Sequence, residues 1–202
     1  MATEVVLASR NDGKLAEMQA LFAPLGWKLR SIAEFCDDAA EEPAPSFVEN
    51  ALLKARHAAL VSGLPAIADD SGLEVAQLEG APGVRSARYA GDDASDVDNN
   101  RKLLAALKNV PDERRGARFV CLMVYLRHAE DATPVIAMGS WRGTILHNPR
   151  GANGFGYDPL FVPQGYARTF GQLGPKTKAN LSHRALALKK FITWCKANPV
   201  EE

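Results

Sequence analysis

Two adjacent aspartates at the end of an apolar run constrain this chain more than any other feature. In Leu64-Pro65-Ala66-Ile67-Ala68-Asp69-Asp70-Ser71-Gly72-Leu73-Glu74-Val75, the run Ala66 to Ala68 reads as a buried strand. It is expected to deliver both acids into a Ser-Gly turn, after which Leu73 to Leu78 resumes an extended pattern. Strand side chains alternate between faces, so Asp69 and Asp70 are expected to divide the work, one acid serving chemistry and the other bracing the turn. An Asx turn capped by Ser71 accounts for the same residues without any chemistry. The flanking segments tilt the balance between these readings.

Length and charge narrow the field. The chain has 202 residues, enough for one large domain or one domain with two lobes. Its 24 basic and 24 acidic side chains cancel, so no general polyanion-binding surface is implied, and any affinity for phosphate must be local. The three cysteines, Cys36, Cys121 and Cys195, are widely spaced and form no Cys-x-x-Cys pair, which suits buried reduced thiols better than zinc ligands. No charged-then-apolar signal opens the chain, and no apolar run approaches the roughly 20 residues that span a bilayer. The expectation is a cytoplasmic protein without membrane or nucleic-acid partners.

Glu4 to Ala8 reads as a central strand, and Ser9-Arg10-Asn11-Asp12-Gly13-Lys14 follows at once, leading into a helix with Leu15, Met18, Leu21, Phe22 and Leu25 at helical spacing. A strand, a small polar loop and a helix N-terminus together suit phosphate, because free N–H groups and the positive dipole end face the ligand and Lys14 adds a mobile charge. The loop is not a Walker A motif. A capped strand-to-helix turn is its purely structural alternative.

After a second strand over Trp27 to Ile32 comes an acidic loop with Asp37, Asp38, Glu41 and Glu42, solvated by default unless it folds over a metal. Ser46-Phe47-Val48-Glu49 predicts a capping box opening a helix to about Val61, which places Asn50, Lys54 and His57 along one face. Arg85 and Arg88 in the loop Gly80 to Gly91 meet phosphate or pair with Asp92 and Asp93. Nothing catalytic stands out in the helix Asp96 to Leu107. Ala117 to Leu126 and Val135 to Ile145 read as a strand pair.

In Gly154-Phe155-Gly156-Tyr157-Asp158-Pro159 small residues admit a ligand to the backbone and two aromatics offer flat faces to a base, while a tight bend in the core is the structural alternative. Asp158, preceding proline, is held out of helix and suits an orienting role. With Ser182 as N-cap of the last helix, His183 and Arg184 fall in its first turn, where cations oppose the dipole unless an anion or acceptor is near.

Taken in order, Ser9-x-Asn11-x-x-Lys14, Phe47-x-Glu49-Asn50-Ala51-x-x-Lys54-Ala55, Asp69-Asp70-Ser71-Gly72-Leu73, Gly154-Phe155-Gly156-Tyr157-Asp158-Pro159 and Ser182-His183-Arg184 resemble the inosine/xanthosine triphosphate pyrophosphatase family, from Val5 to about Leu188. Ala81-Pro82-Gly83-Val84-x-Ser86-Ala87-Arg88-Tyr89 follows the same pattern. The resemblance implies an α/β protein with a long, curved mixed sheet flanked by helices, two lobes with a central substrate cleft, and a homodimer. It also implies hydrolysis of deaminated purine nucleoside triphosphates to monophosphate and pyrophosphate, with magnesium as cofactor. By position, Ser9, Arg10, Asn11, Asp12, Gly13 and Lys14 match the triphosphate loop, Asp70 the active acid with Ser71 beside the substrate, and Lys54 a phosphate-contacting lysine. Glu41 and Asp70 match the metal ligands, with Glu42 adjacent to the first. Phe155, Gly156, Tyr157, Asp158, Lys178, His183 and Arg184 match the base site.

The implied chemistry is coherent. Magnesium takes oxygen ligands and retains water, so one or two carboxylates plus phosphate oxygens suffice. Donors from His183, Arg184 or Lys178 would be satisfied by the 6-carbonyl of hypoxanthine or xanthine and not by adenine's amine, a mismatch that supports discrimination of about 10⁴-fold. A pyrophosphatase of another base preference, a nucleotide-binding module without turnover and a nucleic-acid-binding protein are the competing readings.

Overall fold

Val5, Val6 and Leu7 are fully buried, and burial on both faces lets a four-residue run serve as an inner strand, β1 (Glu4–Leu7). The computed structural model describes residues 3–38, 40–173 and 182–198. The remaining strands are β2 (Lys28–Ser31), β3 (Ala66–Val75), β4 (Gly116–Leu126), β5 (Val135–Ile145) and β6 (Phe161–Pro163). They hydrogen-bond in the order β2-β1-β3-β4-β5-β6. β1 runs parallel to β2 and β3, whereas β6 is antiparallel to β5, so the six-stranded sheet is mixed. Four helices, α1 (Asp12–Phe22), α2 (Phe47–Ser62), α3 (Asp96–Ala106) and α4 (His183–Ala197), complete the α/β architecture.

The chain divides into two compact units, Met1–Asp70 with Leu122–Met138 and Ala187–Glu202, and Ser71–Cys121 with Gly139–Leu186. β3, β4, β5 and α4 each contribute residues to both. In the first unit Trp27 stacks on Phe22 and meets Tyr125 and Phe191, with ring centroids 5.1–5.7 Å apart. In the second, Phe119 and Phe161 meet edge-on at 4.7 Å among Leu73, Leu103 and Phe170. Arg115, only 1% exposed, is held there by carbonyls alone, donating to the oxygens of Ile145, Leu107 and Leu146 at 2.7–2.9 Å.

Two local expectations differ from the structure. Asp69-Asp70-Ser71-Gly72 makes no turn, because β3 runs unbroken for ten residues from Ala66 to Val75. β1 pairs with it only at Ala66 and Ile67, and β4 lies along its other side, where inter-strand pairing outweighs the turn preference of Asp, Ser and Gly. The Ser46 capping box is half formed. Ser46 Oγ accepts from the Glu49 N–H, yet the Glu49 carboxylate takes the Ser46 hydroxyl at 2.5 Å instead of reaching the backbone.

Candidate active site

The first unit gathers two lysine–aspartate pairs. Leaving β1, the chain turns at Ser9, whose hydroxyl accepts from the Asn11 N–H at 3.3 Å, and Asn11 caps α1 by accepting from the Lys14 N–H at 2.9 Å. This is the capped strand-to-helix turn, and it sets Lys14 in the first turn of α1. The Lys14 ammonium pairs with the buried Asp69 carboxylate. Lys54, two turns into α2, lies 2.9 Å from Asp70 Oδ1 and 3.3 Å from Glu42 Oε1. Alternation along β3 thus hands each lysine its own acid, Asp69 to α1 and Asp70 to α2.

Asp70 combines burial with spare capacity. Oδ1 accepts from Lys54, while Oδ2 is buried and has no hydrogen-bond partner among the described residues. Burial pushes the Asp70 carboxyl above its ordinary value, Glu42 and Asp69 push it the same way, and Lys54 opposes them. Burial would lower Lys54, but attraction to Asp70, Glu42 and Asp69 outweighs it and holds the ammonium above its ordinary value.

Glu42, and not Glu41, faces this cluster. Glu41 is exposed, whereas Glu42 lines a pocket with Ser9, Arg10, Asp38 and Lys54. The acidic loop is fixed by Asn50, whose fully buried amide both accepts from the Ala44 N–H at 3.0 Å and donates to the Ala44 carbonyl at 3.2 Å. Sequence reasoning placed Asn50 on the Lys54 face without giving it this role. Arg10 donates to the Cys36 carbonyl at 2.7 Å and reaches Asp37 at 3.5 Å. The backbone of Asp12 and Gly13 opens α1.

The buried, unpartnered Asp70 Oδ2 and the neighbouring Glu42 carboxylate are hard oxygen donors, and they fit a magnesium ion held by one or two carboxylates. No group of three or more His, Cys, Asp or Glu that would suit a more fully protein-ligated metal occurs among the described residues.

The second unit holds a separate pocket, lined by Ser71, Phe119, Phe155, Tyr157, Asp158, His183 and Arg184 among others. Ser182 caps α4 through the Ala185 N–H, which fixes His183 and Arg184 in its first turn, both buried. The His183 ring stacks on Phe119 with centroids 4.9 Å apart. Phe119, read from the sequence as a strand residue alone, therefore presents one wall of the pocket.

The two aromatics of the glycine-rich turn differ. Tyr157 is buried in the core and its hydroxyl donates to the Ser86 carbonyl at 2.8 Å, whereas Phe155 is 64% exposed. Phe155 is the face a base can reach. Asp158 accepts from the Phe155 N–H at 2.9 Å, closing the turn on itself. Gly154 has φ +82°, and a Cβ there would collide with the Asp158 carboxylate, so both backbone and space demand glycine. From α3, Asp96 accepts from the Gly156 N–H at 2.6 Å and Asn100 donates to its carbonyl at 2.8 Å, roles with no signal in the sequence beyond helix-terminal placement. Lys178 lies outside the described residues.

Comparison with known proteins agrees with this geometry. The model of the Ham1 family matches residues 5–194. The dITP/XTP pyrophosphatase of Yersinia pseudotuberculosis is 54% identical over 94% of this chain and 96% of its own length. That of Escherichia coli K12 is 52% identical over the same shares. Among solved structures, a HAM1 protein from Coxiella burnetii superposes with a TM-score of 0.92 at 47% identity, covering 96% of this chain and 99% of its own.

Proposed function

Since the chain belongs to the Ham1 family, we propose that it is a nucleoside triphosphate pyrophosphatase that hydrolyses deaminated purine nucleotides, the inosine and xanthosine triphosphates and their deoxy forms, to monophosphate and pyrophosphate. The observation that carries this reading is Asp70, with one oxygen bonded to Lys54 and the other buried and unpartnered. Such a carboxylate is held ready for a ligand the folded chain does not itself supply.

Lys14 and Lys54 bind the polyphosphate by sharing their ammonium hydrogen bonds between Asp69 and Asp70 and the phosphate oxygens, beside the positive dipole end of α1. Asp70 and Glu42 would hold magnesium. When bound, the ion supplies positive charge against the phosphate oxygens and makes nearby water more acidic. Asp70 orients the attacking water and accepts its proton. The water oxygen bonds to the α- or the β-phosphorus as the bridge between them breaks, and the group on the other side of the bridge, pyrophosphate or monophosphate respectively, leaves with the bond's electron pair. In the second unit, Phe155 stacks on the base while His183 and Arg184 favour a 6-carbonyl over an amine.

This reading places the enzyme in the cytoplasm as a homodimer that cleanses the nucleotide pool. Leu53 and Leu60, seven positions apart on α2 and both exposed, offer an apolar strip for self-association, which light scattering on the purified chain would test. No helix among the described residues is long and apolar enough to cross a membrane.

The direct test is phosphorus NMR of inosine triphosphate incubated with protein and magnesium, beside adenosine and guanosine triphosphates. Monophosphate and pyrophosphate from inosine triphosphate, at rates at least about 10²-fold above the others, are expected. Orthophosphate as the product, or equal turnover of all three, would overturn the reading.

A further inference from the structure

Gly156 sits at the centre of the base-facing turn in the left-handed region, with φ +58°. Such a turn is poorly held by its own sequence, because glycine explores both hands of φ freely. Here its peptide groups are gripped from outside. The Gly156 N–H donates to Asp96 Oδ2 at 2.6 Å and the Gly156 carbonyl accepts from Asn100 Nδ2 at 2.8 Å. Asp96 and Asn100 are one turn apart on α3, and Asn100 Nδ2 also donates to the Asp96 carbonyl at 2.8 Å, which ties the two gripping residues together. The exposed Phe155 rides directly on the peptide so held.

We propose that Asp96 and Asn100 form a positioning clamp for base recognition, acting through Gly156 on Phe155 without forming part of the phosphate chemistry. The inference rests on the base pocket assigned above. Asn100 lies in a helix where nothing catalytic stands out in sequence, yet its amide spans α3 and the turn, and its Oδ1 is buried with no hydrogen-bond partner among the described residues. Leaving that oxygen unsatisfied costs free energy, which the two bonds donated by Nδ2 offset. The groups that the clamp fixes lie in the second unit, whereas Lys14, Lys54, Asp69, Asp70 and Glu42 belong to the first. Loosening the clamp should therefore separate base affinity from pyrophosphate affinity.

The test uses the full chain with Asn100→Ala and, as the milder variant, Asp96→Asn, which preserves an oxygen acceptor. Binding of inosine monophosphate, read by calorimetry, should weaken about 5- to 20-fold in Asn100→Ala, in line with one to two lost hydrogen bonds. Inhibition by pyrophosphate should stay within about twofold, and kcat on inosine triphosphate should change less than KM. Equal losses for monophosphate and pyrophosphate, as a general loosening of the fold would give, overturn the clamp. Amide hydrogen exchange over 154–158 makes the test independent of turnover. Faster exchange there in both variants supports the clamp, and unchanged exchange overturns it. A native chain that turns over no nucleoside triphosphate refutes the proposed activity while the exchange result still decides the clamp.

Discussion

The surroundings of Asp70, the proposed active acid, disagree about its charge. Burial, Glu42 and Asp69 favour the protonated acid, and Lys54 favours the carboxylate; the former prevail, so its pKa lies above the ordinary aspartate value. Between those two values the folded state binds more protons than the unfolded chain, so the contribution of Asp70 to stability is fullest at acid pH and declines as pH rises through the raised pKa. The first prediction follows. Asp70→Asn should lower turnover by at least about 10³-fold, yet melt at pH 7 no more than about 3 °C below the native chain, the equivalent of roughly 1 kcal/mol at this size. A rate within tenfold of native would remove Asp70 from the reaction, and a larger drop in melting temperature would mean that its bond to Lys54 outweighs its burial.

The second prediction is electrostatic. Glu42→Gln removes one of the repulsive neighbours, which eases ionisation and should move the Asp70 titration to lower pH; carbon NMR of its carboxyl in magnesium-free protein reads this directly. Movement to higher pH would contradict the sign of the Glu42 interaction. Lys14→Ala belongs to the same scale. It uncovers the buried Asp69 carboxylate, so triphosphate binding should weaken by more than monophosphate binding, and equal losses would remove Lys14 from the polyphosphate contact.

At the scale of elements, legibility followed hydrophobic pattern. β5 begins and ends where alternation placed it, at Val135 and Ile145, and Ser182 caps α4 as its position suggested. Within 66–75 the strand at Ala66 to Ala68 and the extended pattern from Leu73 are legible, whereas Asp69 to Gly72 continues the strand because residues with strong turn chemistry lie inside a sheet, next to β4. Local preference is worth about 1 kcal/mol and inter-strand pairing overrides it. Glu42 over Glu41 is equally beyond sequence, since both are loop acids; the folded loop, held at Ala44 by Asn50, brings Glu42 to Lys54. Asn50→Ala should therefore release the loop, destabilise the chain by about 1–3 kcal/mol in urea unfolding, and raise the magnesium concentration needed for half-maximal rate. A variant that loses stability with an unchanged magnesium requirement would separate the loop from metal binding.

For the molecule as a whole, the division of labour follows the two units. The first carries the lysines and acids, the second the aromatic pocket, and each has its own aromatic core. Zero formal charge is a molecular property too. Binding to random oligonucleotides should be weak and shallow in its salt dependence, and a steep fall between 50 and 200 mM salt, of about 10³-fold or more, would revive a nucleic-acid role.

The uninterrupted path of β3 through Asp69 and Asp70 has a consequence for how the gene can change. Because each acid is assigned to its lysine by strand parity, gaining a single codon upstream within the strand would present Asp69 where Asp70 belongs, and losing one would present Asp70 where Asp69 belongs and Ser71 where Asp70 belongs, so either change leaves one lysine without its acid. Substitutions at Ala66, Ile67 or Ala68 alter packing by degrees, but a one-residue shift breaks one of the two pairs at once. In a library of single-codon insertions and deletions, the segment 66–70 should be depleted far more sharply than by conservative substitutions at the same positions.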